Sequence, residues 1–183
     1  MLRCAVLCCA VLCCAALCCA VLRLIALLDQ QALDVQFPII NARNMSAVVG
    51  TPLAQGRLAG GNFYGQEDNT PTALKVQEIK HICESYNVDI VRINRMYRSC
   101  VHVVQHQLSS DASDCLQKAA ALQFPLAHPR VASIIPGSAN AEEAAENKAM
   151  LDTLLPKGLW RKFKEAGVVR GDAPVPGDAE AAM

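Results

Sequence analysis

An α/β domain with parallel strands is what the sequence predicts, on two observations. Short apolar runs at residues 47–53 and 131–135 are bounded by proline or glycine, as strands buried in a parallel sheet are. Each is followed by helix-start chemistry, so the order reads strand, helix, helix, strand, helix, helix. Apolar residues make up 52% of the 183, which suffices for a core and excludes intrinsic disorder of the body.

The first 28 residues stand apart. Residues 4–22 are uncharged and apolar, repeat a Cys-Ala-Val-Leu-Cys unit, and hold seven of the ten cysteines: Cys4, Cys8, Cys9, Cys13, Cys14, Cys18 and Cys19. The run is long enough to span a bilayer as a helix. Arg3 supplies a positive flank, and no small-x-small cleavage site follows before Asp29, so a signal anchor fits better than a cleaved signal. Repetitive coding sequence without a selected role fits equally well. Neighbouring cysteines at this density cannot all reach a disulfide's Cα separation, and the repeat lacks the polar groups that orient thiolate metal ligands. The expectation is a cytoplasmic protein with a hydrophobic helix within 1–28; the alternative is a membrane-anchored one, with membrane contact through 4–22.

Seventeen basic residues balance seventeen acidic ones. Only Arg3 and Arg23 are charged before Asp29, so the body carries fifteen against seventeen. A surface without a basic excess does not displace counterions from phosphates, and nucleic acid is excluded as a partner.

In the body, residues 47–53 form the first expected strand, and a polar, glycine-rich stretch follows over 56–71. Thr70 can cap a helix that has Pro71 at its first position, and Leu74, Ile79, Ile82, Cys83 and Tyr86 share one face, with Asn87 as the stop. Residues 91–117 read as an atypical insert. His102 and His106 lie four apart beside Cys100, a metal-ligand spacing, but Val-Val-Gln between them lacks the glutamate of a zinc protease helix. An ordinary helix or a disordered insert is the expected reading, and Arg92, Arg95 and Arg98 are a solvated face.

Residues 118–128 are alanine-rich and expected to be helical up to Pro125. The strand at 131–135 ends in Pro136-Gly137-Ser138. There Ser138 or Asn140 can cap a helix whose Glu142 and Glu143 suit the positive end of its dipole. A last helix has Pro156 in its first turn, Leu159, Trp160 and Phe163 on one face, and Gly167 as its stop. The expected organisation is therefore the repeat at 1–28, one domain at 29–170, and a disordered tail at 171–183.

The turn from Ile134 to Ser138 is the best physical signal for chemistry. Free backbone N–H groups and a dipole end favour an anion, and glycine permits close approach of a phosphate. Two runs then carry a resemblance. Val48-Val49-Gly50-Thr51-Pro52-Leu53-Ala54-Gln55-Gly56-Arg57-Leu58-Ala59-Gly60-Gly61 resembles the seventh-strand segment of aldo-keto reductases. Ile135-Pro136-Gly137-Ser138, with Glu146-Asn147 beyond it, resembles the same family's eighth strand and cofactor helix. Residues 119–129 and 27–34 are similar to its aldose 1-dehydrogenase branch, which includes D-threo-aldose and L-fucose dehydrogenases. The resemblance covers roughly 23–176, except for 91–117.

The resemblance implies the C-terminal half of a (β/α)₈ TIM barrel, a fold whose phosphate sites commonly lie after strands seven and eight. It implies that Thr51, Pro52, Leu53 and Gln55 lie along the ribose and pyrophosphate of a nicotinamide dinucleotide. Gly137 and Ser138 would sit at the adenosine phosphate end, and Glu146 and Asn147 near the adenine. Many NADP-preferring members carry lysine at the place of Gly137 and arginine at that of Glu143. A carboxylate repels a 2′-phosphate and accepts from a free 2′-hydroxyl, so Glu143 makes NAD the better match and NADP the poorer one. Gly50 offers no ring to the nicotinamide where many members stack a tyrosine.

The family's Asp, Tyr, Lys, His tetrad comes from the first half of its barrel, and none of Tyr64, Tyr86 and Tyr97 stands in its catalytic context. The implied reaction is oxidation of an aldose at C1 to the lactone. The expectation is a cofactor-side half that does not turn over alone and meets an aldose only in a completed barrel. An open parallel sheet also exposes edges, so self-association is expected. The alternative is a non-catalytic, membrane-associated binding or interaction protein.

Overall fold

The structure is a computed structural model that describes residues 19–22, 25–59, 70–86, 112–156 and 158–178. The repeat at 4–18 lies outside them. So do Tyr64 and Tyr97, Asn87, and the His102, His106 and Cys100 group with its three arginines.

Three parallel strands form an open sheet in chain order: β1 (Cys19–Leu22), β2 (Ser46–Gly50) and β3 (Val131–Ile135). Ala20 lies opposite Ala47, Val49 opposite Ile134, and Gly50 opposite Ile135. The five helices among the described residues are α1 (Ala32–Ala42), α2 (Pro71–Glu84), α3 (Ala112–Gln123), α4 (Ala141–Leu151) and α5 (Leu159–Glu165). A 3₁₀ turn at Pro125–Ala127 leads α3 into β3. The described strands close no barrel, and the fold is mixed α/β with parallel pairing.

Helix α3 packs on both α2 and α4, and α2 also meets α5. The core joins Val49 of β2, Phe37 of α1, Ile79 of α2, Leu116 and Leu122 of α3, Met150 of α4, and Leu159 and Phe163 of α5, all essentially without exposure. Phe124 follows α3 into it, and Trp160 lies 5.8 Å from Phe163 at an edge-on angle.

Several caps form as the sequence predicts. Thr70 Oγ1 accepts from the Ala73 N–H at 3.2 Å, and Asn140 Oδ1 accepts from the Glu143 N–H at 2.7 Å. Gly167 takes φ +70° just past α5, the left-handed region a helix stop requires. Other expectations are corrected. The end of the Cys/Ala/Val/Leu repeat is strand, not helix, because Cys19–Leu22 pairs its backbone with β2. A continuous apolar run reads alike for a buried strand and a buried helix. No helix among the described residues is long and apolar enough to cross a membrane.

Helix α1 carries Pro38 inside it, a residue that speaks against a helix in the sequence. Strand β2 stops at Gly50, short of Leu53, since Thr51 turns to φ +55°. Strand β3 is not buried on both faces: Ala132, Ser133 and Ile135 are exposed at the outer position of the sheet. Leu74 is exposed although Ile79, Ile82 and Cys83 of its expected face are buried. Helix α3 begins at Ala112, inside the expected insert. Helix α5 starts at Leu159, behind a left-handed Gly158, with Pro156 upstream of it. The tail is ordered through Asp178, with Ala173 and Val175 in the core.

Candidate functional site

The register sets the site. Because Gly50 pairs with Ile135 in adjacent parallel strands, the loops after β2 and β3 leave the same end of the sheet side by side. In the first loop Thr51, Ala54 and Gln55 have φ of 55°, 49° and 61°, and Gly56 has 87°. Left-handed backbone is uncommon for residues other than glycine and is a strained state for a β-branched threonine. The turn is held by Leu58 N–H donating to Leu53 O at 3.2 Å and by burial of Pro52, Leu53 and Leu58. Thr51 and Gln55 are exposed.

The second loop is tied to its helix. Glu143 Oε2 accepts from the Ala139 N–H at 2.7 Å while its own N–H donates to Asn140, a reciprocal pair that closes the start of α4. Asn147 is 3% exposed, and its Nδ2 donates to Gly137 O at 3.2 Å and to Ser138 Oγ at 3.0 Å. Its Oδ1 is buried with no partner among the described residues, and an orphaned acceptor of this kind is costly unless a donor reaches it. A Cβ at Gly137 would meet nothing within 4 Å, so the space above that turn is open.

Gly137, Ser138, Glu143 and Asn147 thus form one connected group. Glu146 is turned to α3, where Lys118 Nζ lies 3.0 Å from its carboxylate. Thr51, Pro52, Leu53 and Gln55 share the sheet end with this group, but no hydrogen bond joins the two loops among the described residues.

The remaining reactive side chains have structural roles. Burial raises the Tyr86 phenol above its ordinary range, with Arg161 opposing and Glu165 adding. That is the reverse of what a proton-transferring tyrosine requires. Lys162 stacks over its ring at 4.5 Å. Burial, aided by Asp114 and Glu84, pushes the Cys83 thiol up to about 12, an inert state. Among the described residues no group of three or more His, Cys, Asp and Glu could hold a metal.

Sequence reasoning missed a second polar cluster. Arg170 donates to Asp34 at 2.6 Å and to Asp172 at 2.7 Å, and Asp29, Gln31 and Lys75 face the same cavity. These residues come from three distant segments, and no sequence signal joins them.

No family model matches the chain. The chain is similar to a known oxidoreductase. That relative is the pyridoxal 4-dehydrogenase of Microbacterium luteolum, 28% identical over 149 residues, which are 79% of this chain and 36% of the relative. The chain therefore spans little more than a third of that protein's length. The relative's name is that of a dehydrogenase and contains no aldose, so the likeness reaches oxidoreductases and not the aldose branch.

Proposed function

We propose that this chain is the cofactor-side part of an aldo-keto reductase-type oxidoreductase and binds a nicotinamide dinucleotide at the ends of β2 and β3, NAD in preference to NADP. The observation that carries the reading is the buried, unpartnered Asn147 Oδ1 beside the open Gly137-Ser138 turn, next to a strained loop on the neighbouring strand. Backbone N–H groups at the start of α4 and the Ser138 hydroxyl suit a phosphate, and Thr51 and Gln55 suit ribose hydroxyls. Asn147 Oδ1 suits an amino group such as that of adenine. Glu143, held at the same turn by the Ala139 N–H, keeps a negative charge where a 2′-phosphate would be repelled.

When bound, the nicotinamide supplies the hydride acceptor. The family reaction oxidises an aldose at C1, the hemiacetal hydroxyl losing its proton to a base as the C1 hydride leaves, to give the lactone. Pyridoxal, which the relative's name contains, can close to a hemiacetal by general chemistry, so both compounds offer the same kind of carbon. Tyr86 is not the base, given its raised pKa and its contact with Lys162. The family's tetrad belongs to the first half of its barrel and none of the chain's tyrosines stands in that context, so on this reading the chain binds nucleotide without turning over an aldose.

Titration of the chain with NADH and NADPH, followed by nucleotide fluorescence, tests this. NADH binds the more tightly, and Gly137→Lys with Glu143→Arg reverses the order. Binding of neither nucleotide, or tighter NADPH binding by the parent chain, refutes the reading; aldose-dependent NADH formation refutes the inactivity.

A further inference from the structure

Helix α1 is apolar on the side that faces water as well as on the side that faces the core. Phe37 and Ile40 are buried, and Asp34 is the one charged residue of the helix. Val35, Pro38, Ile39 and Ala42 are exposed, Val35 by 58% and Ile39 by 50%. Their spacing sets them in one stripe opposite Phe37 and Ile40. A helix that is apolar all round is covered on every side, yet among the described residues nothing covers this stripe.

The order of residues in the stripe identifies the cover. A contact between two copies of one chain about a twofold axis must be self-complementary. Val35 and Ala42 lie equally far from the point between Pro38 and Ile39. A second α1 laid antiparallel over that point therefore sets each Val35 against the small Ala42 of the other copy, while Pro38 and Ile39 meet their own equivalents at the axis. The charges agree. At the N-terminal end of α1, Asp34 and Asp172 share the single guanidinium of Arg170, and the Asp34 side chain is 59% exposed. At the C-terminal end stand Arg43, which is exposed, and Arg130, whose Nε donates to Asn41 Oδ1 at 2.8 Å and whose Nη1 donates to Asn44 Oδ1 at 2.7 Å. Antiparallel pairing lays the acidic end of each copy beside the basic end of the other, whereas parallel pairing sets like charges together.

We propose that α1 is a self-association surface, at which two copies of this chain pair antiparallel about a twofold axis between Pro38 and Ile39. A helix of eleven residues is about 16 Å long. That is too short to fill the roughly 800 Å² per partner of a standard interface, so the dimer is weak and forms as concentration rises. The pairing uses a helix face and not the open edges of the sheet. It does not depend on the nucleotide reading, and its test uses no nucleotide, so either can fail without the other.

Sedimentation velocity of the full chain, with its thiols kept reduced, tests this between about 10 µM and about 1 mM. The average mass climbs toward twice that of the monomer. Ile39→Lys sets two like charges against each other at the axis and weakens the dimer at least about tenfold. Because Ile39 is exposed, the urea midpoint of that variant in dilute solution matches the parent's. Leu154→Lys, at a side chain 84% exposed elsewhere on the surface, leaves the dimer as it is. Mild oxidation and peptide mapping read the orientation: chains carrying Val35→Cys and chains carrying Ala42→Cys, once mixed, link to each other through the new thiols. A monomer at about 1 mM overturns the proposal. So does association that Ile39→Lys leaves unaltered or that Leu154→Lys weakens equally, and so does linking of Val35→Cys to itself in place of the mixed product.

Discussion

Replacing Glu146 by glutamine removes one charge from a pair whose partner is almost wholly enclosed. Lys118 Nζ sits 3.0 Å from the carboxylate, with its side chain 9% exposed against 29% for Glu146. At an effective dielectric of about 20, charges this close attract by about 5 kcal/mol, and breaking a fully buried pair costs about 3–5 kcal/mol. The glutamate is nearly a third exposed, so water takes up part of that loss and the expected cost is about 2 kcal/mol. For a chain of this size that lowers the melting temperature by about 4–8 °C. Lys118→Met leaves only the better-solvated carboxylate and costs about 1 kcal/mol, and the double variant recovers part of the loss because no buried ammonium is stranded. Urea unfolding followed by far-ultraviolet circular dichroism on all four proteins closes the cycle. If Glu146→Gln unfolds within about 0.5 kcal/mol of the parent, or the two losses simply add, the reasoning is wrong. The cycle also bears on function: with stability restored in the double variant, nucleotide titration reads any direct part Glu146 has in binding.

Gln30→Ala removes three hydrogen bonds, one to Leu27 O and two that tie Gln30 to Val168 and Arg170, and urea unfolding should show a loss of about 2–3 kcal/mol. Asn147→Ala releases Gly137 and Ser138; it lowers stability by about 1 kcal/mol and NADH affinity about tenfold, the latter measured by fluorescence titration. His128 stacks on Phe37 at 3.8 Å, and burial, with Arg130 adding, lowers its pKa from the ordinary 6.5. The unfolded chain then binds this proton more readily than the folded one, so the contribution of His128 is complete above pH 6.5 and is lost as the pH falls toward its lowered value. Urea midpoints between about pH 7.5 and 5.5 should fall less steeply in His128→Gln than in the parent. Phe163→Ala, at a wholly buried position of α5, costs about 3–5 kcal/mol by the same measurement.

What the sequence determined by itself was local. Thr70 before Pro71, Asn140 before Glu143 and Gly167 after α5 mark helix ends through short-range hydrogen bonds and backbone preference, and all three stand where they were read. The strand at 131–135 was legible in full, and the Gly137-Ser138 turn with Asn147 close behind it was legible as one group because its members lie within ten residues of each other.

Tertiary structure decided whatever depends on partners far away in the chain. Cys19–Leu22 is strand because β2 stands beside it, and a run of cysteine, alanine, valine and leucine does not choose a period alone. Helix α1 forms around Pro38 because packing on Phe37 and Ile40 outweighs one missing hydrogen bond. The tail is ordered because Arg170 bonds Asp34, more than a hundred residues earlier, and because Ala173 and Val175 find room in the core. Glu146 was read toward a ligand and faces Lys118, a residue that a pattern of helix periods does not place across from it. Local chemistry specifies where elements begin and end; which charged side chains meet, and around what space, follows from the packing of elements whose sequence separation carries no pattern.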